Sequence, residues 1–172
     1  MTFDFSEFKN KKIIVTGSST GIGFETGVEF LNLGANVIFH GNQSINDLET
    51  RIKAKSQSQN FKIFKSDFTD LSQVDNFMNN AINYLNGLDI LVNNAGTMVG
   101  RYQLETISEK DFLKIFDLNA KSAYFATKSA CTIFKKQNYG NIINVSTISA
   151  RTGGSAGSVS YTHLRAHETS VD

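Results

Sequence analysis

Short apolar runs alternate with longer amphipathic stretches along most of this chain. Ile13-Ile14-Val15, Asn36-Val37-Ile38-Phe39, Phe61-Lys62-Ile63-Phe64, Leu88-Asp89-Ile90-Leu91-Val92 and Asn141-Ile142-Ile143-Asn144-Val145 have the length and β-branched content of strands. Between them lie stretches of helical length at about 21–33, 45–56, 71–85 and 108–136. Within 71–85, Leu71, Val74, Phe77, Met78, Ala81, Ile82 and Leu85 recur at three- and four-residue steps, which places them on one helical face. Ser72 is the expected cap of that helix.

Alternating strands and helices predict βαβ units and a parallel sheet covered on both faces. Right-handed crossovers then give an α/β, Rossmann-type doubly wound fold. The expected strand order is 3-2-1-4-5, with Gly17, Gly21 and Gly23 at the C-terminal edge of a central first strand. One domain is read over residues 1–157.

Composition narrows the picture. The 172 residues are 40% hydrophobic, which suits one packed core. The net charge of +1 is mixed along the chain and gives no footprint for nucleic acid. Cys131 is the single cysteine, so no internal disulfide is expected, and its apolar surroundings suggest a buried, inert thiol. The opening MTFDFSEFKNKK lacks the apolar stretch of a signal peptide. No uninterrupted apolar run approaches the ~18 residues of a membrane span. A soluble, cytoplasmic protein without a membrane partner is the expectation.

The chemistry begins at Thr16-Gly17-Ser18-Ser19-Thr20-Gly21-Ile22-Gly23, between a strand and a helix. Gly17 permits a tight turn. Gly21 and Gly23 allow close approach of backbone to a pyrophosphate and to the neighbouring strand. The helix N-terminus offers N–H groups and a positive dipole end to phosphates. Gly17, Ser18, Ser19, Thr20, Gly21, Ile22 and Gly23 are therefore the candidate phosphate loop.

The Gly-x-x-x-Gly-x-Gly spacing resembles that of the short-chain dehydrogenase/reductase family, over residues 8 to about 160. Asn93-Asn94-Ala95-Gly96 after the fourth strand fits the same resemblance, as do Ser66-Asp67 and Asn119. The resemblance implies that Asn94, Ala95 and Gly96 flank a nicotinamide cofactor and stabilise the central sheet. It implies that Asp67, with Phe68 beside it, holds the adenine. It also implies that Asn119 helps hold a water for proton relay. At the end of the second strand, His40-Gly41-Asn42 offers no acid to a ribose 2′-hydroxyl. NADP(H) is thus favoured, with His40 and Asn42 as candidate contacts to its 2′-phosphate, and NAD(H) is the other candidate.

The family's catalytic hydroxyl aligns with Thr147, and Ser146 is its close rival. Tyr161 stands at the distance expected of the family's tyrosine. The lysine expected four residues later is replaced by Arg165. His163 and His167 are also four residues apart, but no third ligand is apparent, so no metal site is expected. The closing stretch 158–172 resembles the translation of a sequencing adapter read into a gene fragment and is read as non-native, which leaves Tyr161 either a native residue shared at the junction or one supplied by the adapter. The sheet is then expected to be incomplete at the C-terminus, and the chain as written to be inactive.

The implied parent is an NAD(P)-dependent oxidoreductase. It would move hydride between nicotinamide and a small-molecule carbonyl or secondary alcohol, and would form a homo-oligomer, dimer or tetramer. The 3-oxoacyl-carrier-protein reductases and their sugar- and polyol-active relatives are the nearest-looking branch. A catalytically incomplete nucleotide-binding fragment and a non-catalytic scaffold on the same fold are the alternatives.

Overall fold

A computed structural model describes residues 4–43, 45–102 and 105–148. Its five strands are β1 (Lys12–Val15), β2 (Asn36–Gly41), β3 (Phe61–Lys65), β4 (Ile90–Asn93) and β5 (Asn141–Asn144). The helices are α1 (Gly21–Asn32), α2 (Leu48–Lys55), α3 (Leu71–Leu85), α4 (Glu109–Phe116) and α5 (Ser122–Gln137). The strands are all parallel, in the order β3-β2-β1-β4-β5. The expected topology is therefore the observed one.

Period-two side-chain alternation sends successive residues of each strand to opposite faces, and both faces are apolar here. Ile14, Ile38 and Leu91 share one face, under Val74, Phe77, Met78 and Ala81 of α3 and Ala126 and Ala130 of α5. Ile13, Val15, Val37, Phe39 and Val92 share the other, under Phe24, Val28 and Leu31 of α1 and Leu48 and Ile52 of α2. Every apolar residue of β1 is fully buried, which makes β1 the spine of the domain.

Three local expectations change. The cap of α3 is Asp70 rather than Ser72: its carboxylate accepts from the Ser72 N–H at 2.9 Å and from the Ser72 hydroxyl at 2.7 Å. The stretch read as one helix over 108–136 is two helices joined by a π-helical turn, Asp117–Lys121. Cys131 is half-buried on α5, not enclosed in the core. Tyr161, Arg165, His163, His167 and the whole 158–172 tail lie outside the described residues.

Candidate functional site

The C-terminal ends of β1, β2, β4 and β5 open onto one cleft of about 1180 Å³. That is where an open α/β sheet places a ligand, because the loops diverge at the strand-order reversal beside β1.

The turn after β1 is built on Thr16. Its buried hydroxyl donates to the Val92 carbonyl and accepts from the Asn94 and Ala95 amides, both at 3.0 Å. The sequence marked Thr16 only as the start of the glycine motif. Gly17 has φ +61°, and a Cβ there would lie 2.6 Å from the Ala95 backbone. Gly23 is excluded from carrying a side chain for another reason. A Cβ there would meet the Asn94 amide nitrogen and sit 2.6 Å from the Gly17 carbonyl. That Asn94 nitrogen donates to the carbonyls of Thr16 and Gly17 at 3.0 and 2.9 Å. Asn94 thus clamps the loop after β4 to the loop after β1.

Gly21 behaves differently. It also has positive φ, +59°, but a Cβ built on it meets nothing within 4 Å. Thr20, at the N-cap of α1, makes no side-chain cap hydrogen bond. The first-turn amides of α1 are therefore left to a ligand or water, beside open space. Ser19, Thr20, Gly21 and Ile22 line this part of the cleft, and Ile22 is strongly exposed.

Two expected contacts turn inward instead. Ser18 is fully buried, and its hydroxyl donates to the Val15 carbonyl at 2.7 Å and accepts from the His40 N–H at 2.8 Å. A ligand cannot reach it, because a hydroxyl beside the strand end is the partner that these backbone groups need. His40 borders the cleft but is buried, and both its ring nitrogens are engaged. Nδ1 accepts from the Gly17 N–H at 2.9 Å, and Nε2 lies 3.1 Å from the Ser66 carbonyl. An imidazole that accepts at Nδ1 carries its proton on Nε2, which then donates to Ser66. Burial lowers the His40 pKa from 6.5 to about 4, against smaller raising effects from Ser66 and Asp67. A neutral, internally bonded ring is not a cationic contact for a phosphate.

The far wall is Ser66-Asp67-Phe68. Phe68 stacks on His40 with ring centroids 3.9 Å apart. The Asp67 carboxylate accepts from the Thr69 amide and hydroxyl at 2.9 and 2.8 Å. Although desolvation raises its pKa, these bonds and one from Asn42 outweigh it, and the net shift is downward. Gln73 ties the wall down, taking the Asp67 N–H on its side chain and the Ser66 hydroxyl on its backbone, each at 2.9 Å. On the near side, Arg51 of α2 donates to the Ser19 carbonyl at 2.8 Å and pairs with Asp47 at 3.0 Å. Arg51 and Gln73 were missed in the sequence, since nothing in their local pattern separates them from ordinary helix-surface residues.

The opposite end of the cleft gathers Asn119, Ser146 and Thr147, with Asn94, Ala95 and Gly96 between them and the glycine loop. Asn93 bridges β4 to its neighbours, donating to Thr127 of α5 and to Asn144 of β5, both at 2.9 Å. Tyr161 is not among the described residues, so its relation to this cluster is not part of the geometry. Among the described residues no group of His, Cys, Asp and Glu could hold a metal ion. No helix among them is long and apolar enough to cross a membrane.

A profile of the family described as short chain dehydrogenase matches residues 11–162. Among similar proteins, a probable NADP-dependent mannitol dehydrogenase of Yarrowia lipolytica is 30% identical over 142 residues, covering 82% of this chain and 51% of that protein. Sorbose reductase sou1 of Schizosaccharomyces pombe is 31% identical over 152 residues, covering 87% and 59%. Among solved structures, the NADH-dependent reductase A1-R′ in complex with NAD superposes with a TM-score of 0.84 at 29% identity, over 95% of this chain and 70% of that one. The chain spans about half the length of the first two relatives.

Proposed function

This chain belongs to the short-chain dehydrogenase family, and we propose that its parent protein is an NADP(H)-preferring oxidoreductase acting on a small carbonyl or secondary alcohol. One observation carries the cofactor assignment. The first turn of α1 is uncapped beside Gly21, where the protein leaves open space, while Gly17 and Gly23 are closed off by Asn94 and Ala95. An anionic pyrophosphate fits that turn, and the cleft is long enough to run from Asp67 to Thr147. When bound, the nicotinamide supplies or accepts the hydride.

The chain's own residues divide the remaining work. Ser19, Thr20 and the α1 amides hold phosphate. Asp67 and Phe68 border the adenine. Asn94, Ala95 and Gly96 form the floor between the two ends. Thr147, or Ser146 beside it, donates a hydrogen bond to the substrate oxygen, and a tyrosine at the place of Tyr161 in the parent exchanges a proton with it. Asn119 shapes the loop that faces them.

The NADP(H) preference rests on charge. Gly41, Asn42 and Gln43 carry no carboxylate of their own to select a free ribose 2′-hydroxyl at the end of β2. The Arg51 guanidinium behind Ser19 is paired with Asp47, so it anchors the loop without adding net charge to that side. The names of two relatives point to ketoses and polyols as the first substrates to try.

The test uses the full-length protein. NADPH and NADH are titrated by fluorescence, and turnover is followed by NADPH absorbance with ketose, polyol, 3-oxoacyl and diketone substrates. Tighter NADPH binding with turnover of one class is expected. Binding of neither nucleotide would overturn the reading, and tighter NADH binding would overturn the preference.

A further inference from the structure

His40 stands between the two walls of the cleft and touches both. Through Nδ1 it takes the Gly17 amide, and through Nε2–H it holds the Ser66 carbonyl, at 2.9 and 3.1 Å. Its own backbone N–H is fixed by Ser18 at 2.8 Å, and the Ser18 amide in turn donates to the His40 carbonyl at 2.8 Å. Its ring is held flat against Phe68 and is flanked by Phe77, whose centroid lies 4.8 Å away. The imidazole therefore has one orientation and one tautomer available.

We propose that His40 is a positioning residue for the dinucleotide: a strut that sets the spacing between the glycine loop at Gly17 and the adenine wall at Ser66–Phe68. The inference rests on the cofactor reading given above and assigns His40 a task other than contact with the ligand. Gly17 cannot serve the phosphate with its own amide, because that N–H is bound to His40. Its carbonyl is likewise held by Asn94. The loop is thus pinned from behind at Gly17, so that the ligand-facing amides lie one helical turn further on. The same ring pins Ser66, and Gln73 carries that constraint to Asp67. Burial keeps the ring neutral down to about pH 4, so the acceptor at Nδ1 persists across the physiological range.

Two substitutions separate the two bonds. In His40→Asn, Oδ1 falls where Nδ1 was and still accepts from Gly17, but Ser66 loses its donor. In His40→Gln, the longer amide reaches Ser66 and leaves the Gly17 N–H without an acceptor. His40→Leu removes both. In the full-length protein, NADPH affinity should fall by about tenfold for Asn and for Gln, each of which frees one end of the strut, and further for Leu, which frees both. About tenfold is the size of one hydrogen bond lost by a buried backbone group. Thermal midpoints are measured alongside, and the ranking of affinities should not follow them. A cofactor-free arm accompanies this. Nitrogen NMR at pH 7 should show protonated Nε2 and bare Nδ1, and Gly17 amide exchange should accelerate in Gln and Leu but not in Asn. Parent-like affinity in Asn or in Gln, affinities that track thermal stability alone, an Nδ1–H tautomer, or unchanged Gly17 exchange in Gln would each overturn the strut. If the parent binds neither nucleotide, the cofactor reading fails, and the NMR and exchange results still decide whether His40 holds both walls.

Discussion

The Asn119 side chain grips the backbone of Thr97 from both sides: Oδ1 accepts from its N–H at 3.1 Å and Nδ2 donates to its carbonyl at 2.8 Å. The second Nδ2 hydrogen goes to the Ile115 carbonyl at 2.8 Å. A residue expected to serve a water relay thus also locks the loop after β4 to the π-helical turn. Gly96 is required beneath it, since a Cβ there would lie 2.6 Å from Asn119 Oδ1. Irregular helical turns of this kind are frequent where side chains must be presented to a site.

Replacing Asn119 with Ala removes three hydrogen bonds from a partly exposed position. A loss of about 1–3 kcal/mol is expected in urea unfolding. Hydrogen exchange at the Thr97 amide should accelerate, whereas exchange in β1 should not. An unchanged Thr97 amide would show that the loop is held by other means.

Thr16→Val keeps the shape of the side chain and removes its oxygen. The Asn94 and Ala95 amides then lose their shared acceptor in a buried place, and the expected cost is about 2–4 kcal/mol. Thr16→Ser should recover most of that stability. The midpoint of chemical unfolding reads both variants, and equal midpoints for Val and Ser would refute the role of the hydroxyl.

Gly23→Ala and Gly21→Ala should differ in kind. At Gly23 the new methyl collides with Asn94 and the Gly17 carbonyl, so nucleotide affinity should drop at least tenfold as the clamp is displaced. At Gly21 the protein itself leaves room, so the expected cost is about 1 kcal/mol of stability from the left-handed backbone, and any loss of nucleotide affinity comes from the methyl meeting the phosphate directly, with the Asn94 clamp left in place. Nucleotide titration and thermal unfolding of the two variants separate these effects.

Asn42→Asp adds a carboxylate at the end of β2. The affinity ratio of NADPH to NADH should fall about tenfold or more, through repulsion of the 2′-phosphate and through a new acceptor for the 2′-hydroxyl of NADH. Raised ionic strength should shrink the change, because the site is open to solvent. Paired titrations at two salt concentrations provide the measurement.

His40 gives stability a pH dependence with a definite sign. Its pKa is about 4 in the folded chain and 6.5 as a free side chain. Between those values the unfolded chain binds more protons, so stability rises with pH. The contribution is complete above about pH 6.5 and is lost as pH falls toward 4. About 2 kcal/mol of it should disappear between pH 7 and pH 5, by the shift of one group. Asp67 and Asp70 have lowered pKa values, and their contributions fade only below that window. Urea midpoints at the two pH values should differ in the parent and differ less in His40→Asn.

The sheet, its order and the location of the cleft were legible in the amino-acid order alone. Those depend on local signals: apolar runs of strand length, helical periodicity in Leu71–Leu85, and a glycine turn between β1 and α1. The amino-acid order also placed Asn94, Asn119, Ser146 and Thr147 along one cleft through their positions after β4 and β5 and before α5. Which way each side chain serves depends on the packed arrangement. Ser18 and Ser19 are neighbours with the same hydroxyl, yet Ser18 closes a backbone gap inside while Ser19 borders the cleft. His40 looked like a surface contact and became an internal strut, because β3 and the loop at Ser66 arrive beside it from 26 residues away. Arg51, Gln73 and Thr16 acquire their tasks in the same manner. A hydrogen bond between distant segments depends on where the folded backbone leaves unpaired N–H and C=O groups, and no short stretch of sequence records that.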